Sequence, residues 1–322
     1  MSQENQVKIE CEMIIKAKNI SFSYVSEKPV FNAVNFHLLQ GEIISIVGPS
    51  GTGKSTLLKC LGGYLSLDEG QVFIEGEKLI DPKELLKPGH PEIALVNQLF
   101  ELDDYFTARE NISNHLHHLP TKEREDFIQE LLEVFELHAV ENLKSKEISG
   151  GEKQRLTMAC ALAKEPRCLL LDEPFVHFDV HLHRKIGAYL RKLVEIRKMG
   201  VILVTHNGEE ALSWSDRILL MRNGEITSVY TPEQAYFKPK NLFEGRFFGE
   251  LNSVYKEGKQ ILFRPTKFST KENAEYSRRV EVSYLKTYFK GAFYANYYKI
   301  STGKEIVLYS SSKLSNINVI YV

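Results

Sequence analysis

The 322-residue chain is poor in cysteine and in long apolar runs, and each shortage excludes a class of protein. Its four cysteines, Cys11, Cys60, Cys160 and Cys168, include no CxxC pair, which argues against a disulfide framework or a zinc site. No apolar stretch approaches the ~20 residues that a membrane-spanning helix requires. The opening MSQENQVKIECEM carries acids and no apolar centre, unlike a secretory leader. No low-complexity linker or internal repeat interrupts the chain. With 43 % hydrophobic and 26 % charged residues it is not a wholly disordered polypeptide. The expectation is a soluble protein of a reducing cytoplasm, long enough for about two domains.

Charge is nearly balanced, 41 Lys+Arg against 42 Asp+Glu, but it is unevenly spread. Residues 1–237 hold 26 basic and 35 acidic side chains, whereas residues 238–322 hold 15 and 7. The second stretch also carries 16 of the 34 aromatics, so a domain seam is expected near Pro239. A basic, aromatic tail can bind single-stranded nucleic acid by stacking and phosphate contacts. Here the aromatics alternate with polar residues, as core positions of strands do, with Val280, Val282 and Tyr284 inward and Glu281 and Ser283 outward. Most of the tail aromatics are therefore expected to be buried, in a regulatory or docking module with no nucleic-acid partner.

The runs Ile43–Val47, Cys168–Leu171 and Val201–Thr205 are almost continuously apolar, as strands buried on both faces are. Helical patterns separate them. One is 121–137, where Thr121 is placed to cap and Phe127, Leu131 and Phe135 form a stripe. This part is α/β with a parallel sheet. Residues 72–76 and 218–226 look like antiparallel pieces, the second with an Asn223-Gly224 turn. The tail reads as short alternating strands at 280–285, 293–300, 305–309 and 317–322, a small barrel or sandwich.

Gly48–Thr56 reads GPSGTGKST and fits G-x-x-x-x-G-K-[ST] between a strand and a helix. The glycines Gly48, Gly51 and Gly53 let the chain curl around Pro49, Ser50 and Thr52, so that successive N–H groups point at phosphate oxygens. Lys54 would reach the β- and γ-phosphates, Ser55 would offer its hydroxyl to Mg²⁺, and Thr56 continues the helix start. Further on, CLLLDEP sets Asp172 and Glu173 at the end of a buried strand, the edge where open α/β sheets hold ligands. Asp172 suits a metal's surroundings, and Glu173 suits a general base that polarises water. A second helix start primed for anions lies at EISGGEKQR, through Ser149, Gly150 and Gly151. Two such helix starts in one chain hint at a site shared between two subunits.

GPSGTGKST, ISGGEKQR, LLLDEP and VTH, in that order, resemble the nucleotide-binding subunit of an ATP-binding-cassette (ABC) transporter. The resemblance implies a P-loop α/β ATPase domain at 12–237, with a helical subdomain at about 99–165. It also implies a head-to-tail homodimer with two ATP molecules between the phosphate loop of one subunit and the signature Ser149–Glu152 of the other. Gln98 would sense Mg²⁺ and the membrane partner, His206 would contact the γ-phosphate, and Tyr24 would stack on adenine. Asp179 matches the aspartate of the loop that follows the acidic strand end. Three residues depart from the pattern: Ile148 and Glu152 in the signature, and Val176, where a polar residue is typical. Asp103, Asp104 and Tyr105 fill a stretch that faces the membrane subunit in the family.

The segment TPEQAYFKPKNLFEGRFFGELN, then LFRPTKF, resembles the seam of ferric-ion, polyamine and sugar importer ATPases. It implies an OB-like regulatory β-domain at 238–322. An importer subunit would power separate permease subunits, work with a solute-binding protein, and sit peripherally on the inner face of the plasma membrane. The alternatives are a soluble ABC ATPase acting on ribosomes or nucleic acid, and an exporter ATPase. His115, His117 and His118, and His181 and His183, lack the spacing of a metal site and are expected to be surface residues.

Overall fold

The computed structural model describes residues 12–25, 28–97, 101–176, 178–256 and 258–322. The chain forms two compact units, through Pro232 and from Glu233 on, a few residues ahead of the compositional shift near 238. The first unit opens with β1 (Met13–Val25), β2 (Lys28–Leu39), β3 (Ile43–Val47) and α1 (Lys54–Leu61). A hairpin of β4 (Glu69–Ile74) and β5 (Glu77–Lys78) precedes β6 (Ile93–Val96). Three helices follow, α2 (Ala108–Ser113), α3 (Thr121–Val134) and α4 (Gly150–Ala163), then β7 (Cys168–Asp172) and α5 (Val180–Arg197). The unit closes with β8 (Gly200–Thr205), α6 (Gly208–Trp214) and the hairpin β9 (Arg217–Arg222) and β10 (Glu225–Tyr230).

Strands β6, β7, β8, β3 and β9 run parallel in one sheet of order β10-β9-β3-β8-β7-β6, with β10 antiparallel at its edge. Alternate side chains of these strands serve two cores. Ile43, Leu169, Leu171, Val201 and Leu203 pack with α2–α5. Cys168, Leu170, Ile44, Ile46, Ile202 and Val204 pack against α1 and the antiparallel sheet β2-β1-β4-β5. Double-sided burial is why the runs read as continuously apolar. Truncating one such residue, as in Leu170→Ala, is expected to cost about 2–5 kcal/mol, measurable by urea denaturation. The expected Asn223-Gly224 turn forms, with positive φ at both residues, and the antiparallel piece at 72–76 ends in a turn with positive φ at Glu75 and Gly76.

The helical reading needs one correction. Thr121 is the first helical residue of α3 and not its cap; Pro120, extended at ψ 148°, holds that place without a side-chain bond. A proline has no N–H to orphan and a fixed φ, so it serves as a stop just before the helix.

The second unit carries α7 (Pro232–Phe237), α8 (Leu242–Phe247), a hairpin of β11 (Asn252–Lys256) and β12 (Lys259–Phe263), and a four-stranded antiparallel sheet. That sheet comprises β13 (Arg279–Phe289), β14 (Tyr294–Ile300), β15 (Glu305–Ser310) and β16 (Val319–Tyr321) in the order β15-β14-β13-β16. Its edges are partly bonded by a side chain and by other backbone. The Asn252 side chain exchanges two bonds with Val307 of β15 (2.7 and 2.9 Å), Pro265 O accepts from Tyr309 N, and Ser269 pairs with Tyr321 of β16. Arg264, 2 % exposed, ties α7 and α8 to this β-rich unit by donating to Tyr236 O, Gly245 O, Gly249 O and Glu250 O. Val282 is buried, Val280 and Tyr284 pack on the same core, and Glu281 and Ser283 are exposed. The expectation for the aromatics holds only in part. Tyr298, Phe248 and Phe263 are buried, but Tyr255, Tyr288 and Phe289 stand exposed, the last two on β13 beyond the residues that pair with β16.

Candidate active site

The C-terminal ends of the parallel strands β3, β7 and β8 bring the site together. From β3 the chain enters the loop 48–53, whose shape depends on glycine. Gly48 has φ 154°, and a Cβ there would meet Met221 O at 2.1 Å. Gly53, at φ 94°, has Val30 Cγ1 2.7 Å from the place of a Cβ. Gly48→Ala is therefore expected to destabilise the fold beyond the roughly 1–3 kcal/mol of backbone strain alone, seen as a lowered calorimetric Tm. Gly53 caps α1 in the left-handed region without any side-chain bond, so the first N–H groups of α1 are not taken by a cap.

Lys54 is 6 % exposed and folds back over the loop, its Nζ donating to Gly48 O and Pro49 O at 2.9 Å each. Burial pushes its pKa below the ordinary lysine value, while the Glu173 and Asp172 carboxylates pull it back up. Ser55 Oγ donates to Asp172 Oδ1 at 2.9 Å. Burial raises the Asp172 carboxyl above its usual range, the Ser55 bond opposes this, and the Glu173 charge adds to the rise. A hydroxyl and a carboxylate at this spacing are hard oxygen donors of the kind that suits Mg²⁺.

Glu173 follows β7 at φ 49°, a left-handed conformation that an ordinary residue keeps only when its surroundings impose it. Its N–H donates to Val204 O at 2.9 Å, pinning it to β8. His206, just past β8, places Nδ1 3.1 Å from Glu173 Oε1. An ionised carboxylate only accepts, so the imidazole is the donor in this pair. Thr205 and Asn207 hold that corner: Asn207 N donates to Thr205 Oγ1, which donates to Glu210 Oε2. A cavity of about 640 Å³ opens beside Glu173 and His206, lined further by Phe175, Val176, His183 and Trp214.

The remaining sequence candidates fall in different places. Tyr24 is exposed, its ring edge-to-face with Phe22 and its hydroxyl 3.3 Å from Thr56 Oγ1, which sets it beside the phosphate loop. Ser149 caps α4 in a capping box, with Glu152 Oε2 accepting from both Ser149 N and Ser149 Oγ at 2.7 Å. Those bonds hold the Glu152 carboxyl below its ordinary pKa. None of them reaches the phosphate loop, and a Cβ on Gly150 or Gly151 would meet nothing within 4 Å. Asp179 caps α5, accepting from Leu182 N at 2.9 Å. Gln98 lies outside the described residues. Sequence reasoning missed Gln154, buried in α4, whose Nε2 donates to Pro174 O at 2.7 Å. Its place inside EISGGEKQR was the one available signal.

Three comparisons place this geometry among known proteins. The family model for ABC transporter (ABC_tran) matches residues 31–176. The spermidine/putrescine import ATP-binding protein PotA of Clostridium novyi (strain NT) is 35 % identical over 245 residues, 76 % of this chain and 69 % of that protein. The sulfate/thiosulfate import ATP-binding protein CysA of Halalkalibacterium halodurans is 33 % identical over 246 residues, 74 % of this chain and 68 % of that one. Among solved structures, the dimeric post-hydrolysis ATP-binding cassette MJ0796 bound to ADP and Pi superposes at TM-score 0.60 with 32 % identity. It covers 68 % of this chain and 98 % of that one.

Proposed function

The chain belongs to the ATP-binding subunits of ABC transporters, and on that premise we propose that it binds MgATP, dimerises around it and hydrolyses it to drive import through separate permease subunits. The observation that carries this is the convergence of Lys54, Ser55, Asp172, Glu173 and His206 at neighbouring strand ends. The loop N–H groups and Lys54 neutralise phosphate charge as the γ-phosphoryl leaves. Ser55 and Asp172 would hold Mg²⁺, which would supply positive charge to offset that of the phosphates. Glu173 polarises the attacking water, and His206 orients Glu173 and reaches toward the γ-phosphate. Tyr24 offers a ring face to the base. Asp179 and the open Gly150–Gly151 edge would face the second subunit, as would Ser149 and Glu152.

The similar proteins support import but not one solute. PotA is named for polyamine cations and CysA for sulfate anions, so identity near a third does not select the cargo. No helix among the described residues is long and apolar enough to cross a membrane, so attachment at the cytoplasmic face would run through the permease. Residues 12–237 would form the nucleotide-binding domain and 238–322 a regulatory domain. The test is co-purification from membranes: a permease bound to the chain, with ATP hydrolysis raised by its solute-binding protein, supports the reading. A ribosome- or nucleic-acid-bound chain without permease would replace it.

Asp172 gives a prediction with opposite signs in two states. Its pKa is raised in the fold, so the stability tied to its protonated form is complete below the unfolded value of about 3.9 and is lost as pH rises through the raised value. At neutral pH the ionised group therefore weighs against folding. Asp172→Asn is expected to raise Tm slightly without nucleotide while weakening MgATP binding, as read by calorimetry with and without MgATP.

A further inference from the structure

We infer that Gln154 is a positioning residue for hydrolysis, holding Glu173 in place from the signature helix of the same subunit; this rests on the reading of Glu173 as general base. The Pro174 carbonyl that Gln154 binds belongs to the residue directly after Glu173. Two bonds thus bracket the strained Glu173 backbone, one from Val204 O in the sheet and one from the Gln154 amide in α4. The sheet bond is main-chain, whereas the α4 bond is made by a side chain that substitution can remove.

The amide is not placed there for stability. Gln154 is 7 % exposed, and its Oε1 is buried with no hydrogen-bond partner among the described residues. Burying an unpaired acceptor is unfavourable, and an apolar side chain would avoid it. What the glutamine supplies is one directed bond. A base must lie within hydrogen-bond reach of its water, and a shift of about 1 Å at a reacting group can cost about 10²-fold in rate. Without the Gln154 donor, the Pro174 peptide is released and Glu173 leaves the left-handed region, taking its carboxylate off the water. Lys54 and Ser55 stand on a different element, α1, so ATP affinity is retained. Because α4 begins at Ser149–Gly151, the same bond links the partner-facing signature to the base of its own subunit.

Gln154→Leu and Gln154→Glu both remove the donor, the second at almost unchanged shape. Turnover and KM for ATP, Tm, and MgATP-driven dimerisation by light scattering are measured on the full chain. Both variants are expected to lose about 10- to 100-fold in kcat with KM within about threefold of wild type. The MgATP dimer should accumulate, as is expected also of Glu173→Gln, since neither substitution touches the phosphate loop or the start of α4. A kcat for Gln154→Glu within about threefold of wild type overturns the proposal. So does a kcat loss that comes with a lost dimer and a Tm fall above about 5 °C, the behaviour of a merely structural residue. If Glu173→Gln itself hydrolyses ATP at the wild-type rate, the general-base reading fails instead, which separates the two failures.

Discussion

Glu173→Gln should bind MgATP as the wild type does and hydrolyse it about 10²–10⁴-fold more slowly. The substitution is nearly isosteric, so the contact to His206 Nδ1, now 3.1 Å from Oε1, survives as a neutral hydrogen bond. The main-chain anchors at Val204 O and Pro174 O are unaffected. What is lost is the basic oxygen that draws the proton from water. Lys54→Ala behaves differently, because the ammonium that crosses the loop to Gly48 O and Pro49 O is removed and nucleotide binding itself weakens. Single-turnover hydrolysis with a parallel binding titration distinguishes the two. Wild-type turnover in Glu173→Gln would remove Glu173 from the base role.

Gly150→Asp should leave ATP binding to one subunit intact and abolish MgATP-driven dimerisation and hydrolysis. Within the chain a Cβ at Gly150 meets nothing within 4 Å, so the substitution fits the fold. Its effect must arise from whatever approaches the start of α4. A carboxylate there sets charge and bulk against an incoming γ-phosphate, where the helix start otherwise favours an anion. The Glu152 carboxylate already stands beside Ser149 Oγ, and a second negative charge compounds it. Sedimentation with MgATP in the Glu173→Gln background reads the dimer directly. A normal dimer in that background would mean that the signature does not close on a partner's nucleotide.

Several parts of this site were legible because they are local. A phosphate loop needs its glycines, lysine and serine at fixed offsets between one strand and one helix, and GPSGTGKST supplies all of them contiguously. The turn at 223–224 needed only the two residues at its tip. Thr121 shows the limit of this reasoning: a good capping residue yielded the place to Pro120, whose fixed backbone set the boundary first.

The sequence by itself determined the parallel sheet, the phosphate loop, the acidic strand end and the β-rich second unit, since each follows from a period or a spacing within a few consecutive residues. Only the tertiary structure decided which side chains meet. His206 reaches Glu173 because β7 and β8 are neighbours, though 33 residues separate the pair in sequence. Ser55 finds Asp172 across 117 residues for the same kind of reason, the packing of α1 beneath parallel strand ends. Gln154 was not legible as a site residue because its place inside EISGGEKQR says nothing of what a glutamine in a helix binds. Its meaning is fixed by the one carbonyl it binds, and that partner is set by how α4 packs beside the end of β7.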